Sequence, residues 1–171
     1  VSNSGDIKGD NKQNELFINN GDLTFTEVAN EYGLDDKGYS THAAFFDFDR
    51  DGDLDCYLLN NSYKGGFRIT SIGKDQRPLR DEVGGDKLFK NDNGKFIDIS
   101  EEAGIYGSVI GFGLGVTVGD ANNDGWMDIY VSNDFFERDY LYINNQDGTF
   151  SENLEAMIKS ISAASMGADM A

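Results

Sequence analysis

Cysteine, proline, histidine and tryptophan are almost absent from this chain, with one residue of each among 171. A single cysteine, Cys56, excludes an intrachain disulfide framework, so small units must be braced by other means. A single histidine, His42, leaves no imidazole cluster for zinc or copper and one candidate imidazole base. Bases are also scarce: 14 Lys and Arg stand against 31 Asp and Glu, a formal net charge of −17. Phosphate backbones are held by clusters of Lys and Arg, so nucleic acid is excluded as a partner. No stretch approaches the roughly 18 apolar residues of a membrane-spanning helix, and the residues after Val1 do not form a signal peptide. Against one proline (Pro78) there are 21 glycines, 12 Phe and eight Tyr. That mixture predicts short strands joined by positive-φ turns, with too many aromatics for a disordered chain.

Internal similarity organises the rest. Leu16-Phe17-Ile18-Asn19-Asn20-Gly21-Asp22-Leu23-Thr24-Phe25 returns as Leu88-Phe89-Lys90-Asn91-Asp92-Asn93-Gly94-Lys95-Phe96. It returns again as Leu141-Tyr142-Ile143-Asn144-Asn145-Gln146-Asp147-Gly148-Thr149-Phe150. Each copy reads as strand, Asn/Asp/Gly turn and strand, a β-hairpin. After the first two copies come Gly33-Leu34 and Gly104-Ile105, a run of small and apolar residues, and an acidic loop leading into a strand. A unit therefore holds four strands: a lead-in, a post-loop strand and two hairpin arms. The expected fold is all-β, with four-stranded antiparallel repeat units forming part of a β-propeller of about three blades.

The organisation expected is an extension over 1–13, first repeat elements over 14–60, a basic insertion over 61–87, a second repeat over 88–140 and a third over 141–171. The third repeat would place its acidic loop from position 172, so the sequence is expected to be a piece of a longer chain.

The acidic loops carry the clearest chemistry. The first is Asp47-Phe48-Asp49-Arg50-Asp51-Gly52-Asp53-Leu54-Asp55, the second Asp120-Ala121-Asn122-Asn123-Asp124-Gly125-Trp126-Met127-Asp128. Oxygens at positions one, three and five (Asp47, Asp49, Asp51; Asp120, Asn122, Asp124) converge when the backbone coils tightly, and glycine at position six permits the coil. Position seven offers a backbone carbonyl from Asp53 or Trp126, and position nine closes the site with Asp55 or Asp128. Hard oxygens in that number suit calcium, giving two expected Ca²⁺ sites, whereas magnesium retains its water and takes fewer protein ligands. An EF-hand would need an acid at position twelve and helices on both sides. Leu58 and Val131 stand there, and the flanks read as strands. Without a cation the clustered carboxylates repel one another.

Those loops and hairpins resemble FG-GAP/VCBS repeat proteins, the calcium-loop repeats of integrin α-chain propellers. The resemblance is nearest to the bacterial ASPIC/UnbV-type group, through Leu141–Phe150 and the run from Asp124 to Asp134. It implies an exported, often surface-attached β-propeller, extracellular or on the cell surface, with calcium at the matched aspartates. It also implies adhesion, binding of a protein or glycan ligand, or service as an accessory subunit of an outer-membrane or cell-surface assembly.

Other features carry competing readings. The insertion over 63–85 gathers Lys64, Arg68, Lys74, Arg77 and Arg80, with Lys87 and Lys90 beside it. It reads either as a contact loop for an acidic partner or as a solvated loop offsetting nearby acids. The run Asn133-Asp134-Phe135-Phe136-Glu137-Arg138 reads as packing between units, with contact to a partner as the alternative, and Cys56 as a buried strand residue. The leading expectation is a non-catalytic module. The alternative is a calcium-dependent propeller polysaccharide lyase or another glycan-active enzyme, with His42 and the insertion arginines as its only candidate groups. A calcium sensor is a third reading, and the missing acid at position twelve argues against it.

Overall fold

The computed structural model describes residues 1–3, 12–63 and 75–170. Lys64, Arg68 and Lys74, and most of the expected extension over 1–13, lie outside the described residues. A two-stranded sheet comes first, β1 (Phe17–Asn19) with β2 (Phe25–Glu27), followed by the short helix α1 (Ala29–Tyr32). A four-stranded antiparallel sheet follows in the order β3 (Ser40–Phe46), β4 (Asp55–Asn60), β5 (Lys87–Asp92), β6 (Lys95–Asp98). The second has β7 (Gly113–Gly119), β8 (Asp128–Asn133), β9 (Tyr140–Asn144) and β10 (Phe150–Glu152) side by side, and α2 (Leu154–Met157) after it. Lead-in, post-loop strand and hairpin arms thus join in one sheet, the all-β blade pattern that the repeats predicted.

The turns follow from their residues. Between β5 and β6, Asn93 and Gly94 have φ of 53° and 87° and form a two-residue hairpin loop; the register sets Asp92 opposite Lys95. This double positive-φ turn matches the right-handed twist of the flanking strands. Gly33 and Gly104 sit at φ 84° and 78°, each ending a helical turn. A Cβ on either would lie 2.8 Å from a backbone oxygen, that of Phe96 or Phe150. Only glycine lets the chain pass so close to the last strand of the sheet that follows.

The sheets pack face to face. Phe46, Phe48, Tyr57, Leu59 and Leu88 meet Ile129, Val131, Tyr140, Tyr142 and Phe150 in the main core. Cys56, Leu58 and Phe89 face the other way, against Leu34, Leu16 and Phe96. Every residue of β4 is buried, as fits a strand covered on both faces. The innermost strands touch: Thr41 donates to the Gly113 carbonyl at 2.8 Å, and a Cβ at Gly113 would lie 2.3 Å from Leu59 Cδ1. The last described segment repeats the arrangement on β7, where Thr117 donates to the Ala168 carbonyl at 2.6 Å and Gly167 closes on Gly115.

Candidate metal centre

Both acidic loops lie between the first and second strands of their sheets and coil alike. Position four is left-handed in each, Arg50 and Asn123 both at φ 62°, and the glycines Gly52 and Gly125 follow at 96° and 85°. Side-chain oxygens cap the coil. In the first loop Asp47 Oδ2 accepts from the Gly52 N–H at 3.2 Å and Asp51 Oδ1 from the Asp53 N–H at 3.2 Å. In the second, Asp120 Oδ2 accepts from Gly125 at 2.8 Å and Asp124 Oδ1 from Trp126 at 2.8 Å.

The structure brings a carboxylate oxygen from each of Asp47, Asp49 and Asp55 within 4.8 Å of one another, the single such acidic group among the described residues. Asp47 Oδ1 and Asp53 Oδ1 are buried without a hydrogen-bond partner. A buried, unpartnered oxygen is costly, and more so when charged. Partial desolvation, then the charges of Asp51, Asp49 and Asp47, push the Asp53 carboxyl above its usual range. These residues therefore fit a hard divalent cation, which would partner the orphaned oxygens and relieve the repulsion. The second loop offers Asp120, Asn122, Asp124 and Asp128 in the same order, with fewer acids.

The side chains at position nine, Asp55 and Asp128, each accept two backbone N–H groups. Asp55 Oδ2 accepts from the Phe48 N–H at 3.2 Å and Oδ1 from the Asn91 N–H at 2.9 Å. Asp128 repeats this with Ala121 at 2.8 Å and Asn144 at 2.9 Å. Both side chains are fully buried and staple the loop's start to the third strand of the sheet. Burial pushes Asp55 up to about 6 against the pull of those N–H groups, and raises Asp128 in the same way.

The loops also meet each other. Arg50 donates to the Gly125 carbonyl and its guanidinium lies 4.5 Å from the centre of the Trp126 ring. Asn144 Nδ2 donates to the Phe48 carbonyl at 2.8 Å, and buried Phe48 packs on Phe150 with ring centres 5.8 Å apart. The two candidate sites are thus part of the joint between the sheets.

A second repeated constellation was not singled out by spacing. Asp86 accepts from the Tyr57 hydroxyl at 2.9 Å and the Asn60 N–H at 2.9 Å, while Asn60 Nδ2 donates to the Gly85 carbonyl at 2.7 Å. Asp139 does the same with Tyr130 at 2.7 Å and Asn133 at 2.8 Å, and Asn133 Nδ2 holds the Arg138 carbonyl at 2.9 Å. The available signal was an aspartate two positions before Leu88 and Leu141; Asn14 holds that place before Leu16. Asp86 is pushed up to about 7, by burial first.

The described bases of the insertion are committed internally. Arg77 pairs with buried Glu137 at 2.7 Å, Arg80 donates to the Ile105 carbonyl at 3.0 Å and the Asp86 carbonyl at 2.9 Å, and Lys87 pairs with Asp36. His42 lies exposed on β3, and Cys56 is free and buried, its thiol pushed up to about 12 by burial. Within the Asn133–Arg138 run, Asn133 and Glu137 are buried and Glu137 pairs with Arg77 of the insertion, while Phe135 and Phe136 are 60% and 58% exposed. A left-handed Phe135 (φ 61°) turns the loop outward, and its ring rests on Phe112 at 5.0 Å.

A family model described as an FG-GAP-like repeat matches the chain three times, over residues 4–58, 79–131 and 122–171. No curated protein matches it significantly. Among the described residues no helix is long and apolar enough to cross a membrane.

Proposed function

The chain belongs to the family of FG-GAP-like repeats, and from that premise we propose that it is a calcium-braced, non-catalytic module of an exported or cell-surface protein. Such repeats are in general structural modules and are typical of extracellular proteins. In this reading Asp47, Asp49, Asp51, Asp55 and the Asp53 carbonyl hold one Ca²⁺. Asp120, Asn122, Asp124, Asp128 and the Trp126 carbonyl hold a second. The observation that carries the reading is Asp47 Oδ1, buried and partnerless within the cluster of Asp47, Asp49 and Asp55 carboxylates. Bound calcium would supply the positive charge that lets these acids share one small volume.

The role of the ions is structural. The loops carry Arg50, Phe48 and Trp126 into the joint between sheets, so a loop fixed by its ion fixes that joint. The rigid body would present its rim to a protein or glycan, as an adhesive or accessory part of a surface assembly of the ASPIC/UnbV type. Exposed Phe135 and Phe136 are apolar anchors suited to such a contact.

Thermal melting with and without calcium tests this. At a free concentration about a hundredfold above Kd, each site adds about 2.7 kcal/mol. Wild type should melt higher in 1 mM calcium than in chelator, a gain that Asp51→Ala with Asp124→Ala abolishes. A double variant that keeps the whole gain refutes the ligand assignment.

A further inference from the structure

We propose that Lys90 is a tethered counter-ion of the first acidic loop: its ammonium gathers the carboxylates when calcium is scarce and is displaced when the ion binds. The proposal rests on the reading of the loops as calcium sites. Lys90 stands on β5, one residue before Asn91, whose N–H is held by Asp55. Its ammonium pairs with Asp49 and lies 3.5 Å from Asp51 Oδ2. These are positions three and five of the loop, two of the side chains that the ion would take.

The second repeat supplies an internal comparison. Asn144, held by Asp128, corresponds to Asn91, so the equivalent of Lys90 is Ile143, an aliphatic side chain. The carboxylate matching Asp51 is Asp124, and its Oδ2 accepts from neutral amides, Asn122 Nδ2 at 2.9 Å and Gln146 Nε2 at 3.1 Å. Arg50 reaches this loop too, but onto a carbonyl and the Trp126 ring. The first loop thus answers its carboxylates with an ammonium bonded directly to them, whereas Asp124 takes its side-chain hydrogen bonds from uncharged amides and feels the Arg50 guanidinium only through space.

The consequence is electrostatic. A +2 ion entering the first loop meets an ammonium on two of its ligands, which must swing away on its flexible stem. The charge therefore weakens calcium binding at this loop, and in exchange holds the loop's shape without metal. The second loop, with amides there, depends on its ion more completely.

The experiment is calorimetric titration of calcium, with melting in chelator. In an Asp124→Ala background, which leaves the first loop to report, Lys90→Ile should tighten binding about tenfold and lower the chelator melting temperature. Lys90→Arg, retaining the charge, should stay within about twofold of its parent. Ile143→Lys in an Asp51→Ala background should weaken the second loop, a reciprocal arm that holds if Lys90→Ile folds poorly. One ion bound by the Asp124→Ala protein, with affinity unchanged by Lys90→Ile, overturns the role of Lys90 and leaves the calcium reading intact. No calcium uptake by any variant or by wild type overturns both.

Discussion

A buried carboxylate that accepts from two or more donors is the recurring residue-scale device of this protein. Asp55 and Asp128 each gather donors from two segments, whereas Asp86 and Asp139 each accept a hydroxyl and an N–H from one strand, β4 or β8, and Asp139 accepts from Ser165 as well. Asp86 lies away from the acidic loops, and its titration bears on stability. Its carboxyl rises from 3.8 to about 7 because burial disfavours its charge, more than the Asn60 N–H, the Tyr57 hydroxyl and Arg80 favour it. The folded protein therefore binds the extra proton between those values and the unfolded chain does not, so this contribution is full below 3.8 and is lost as pH rises through 7. Denaturant melts in chelator should show Asp86→Asn flattening the fall in stability from pH 4 to 7. An unchanged slope would mean Asp86 ionises freely in the fold.

Within an element, the same carboxylate geometry separates two kinds of acid in each loop. Asp124 is exposed and bonds chiefly inside its own coil, whereas Asp128 joins the coil's start to β9. Removing Asp128 strands two N–H groups, those of Ala121 and Asn144, in a buried place. Asp128→Ala should then cost about 2–4 kcal/mol in chelator, while Asp124→Ala costs under about 1 there and its effect emerges only with calcium. Equal costs in chelator, read by urea unfolding, would show that Asp128 holds the metal-free loop no more firmly than Asp124 does. The hairpins tell a parallel story: Asn93-Gly94 is legible as a two-residue turn from composition alone, because only such residues accept two positive φ values in succession. Lys90 was not legible in this way, since whether a strand residue faces an acidic loop depends on cross-strand register.

Across the whole molecule, a net charge of −17 makes repulsion a standing term. Ion pairs answer part of it, Arg77–Glu137 between the insertion and the second unit and Arg138–Glu152 within the second unit, and the acidic loops concentrate what is left. Screening shortens the reach of that field, with a Debye length of about 10 Å at 0.1 M salt. Melting temperature in chelator should therefore climb as sodium chloride is raised from low millimolar to about 0.5 M. The added gain from calcium should shrink over the same range. A melting temperature that falls with salt would show that attractive pairs outweigh the repulsion.

Local rules were enough for the elements and the loops. Repeated Asn/Gly turns, glycine at position six and alternating oxygens are short-range features, and backbone sterics set the turns and the glycine. Those rules alone yielded the all-β blade pattern. What awaited the tertiary structure was every relation between distant segments: Asp86 with Tyr57 and Asn60, Arg50 on the second loop, Lys90 on the first, and Phe135 and Phe136 turned outward. Such contacts depend on how one sheet sits against the next and on strand register, and residue spacing along a chain carries no information about either until the sheets have packed.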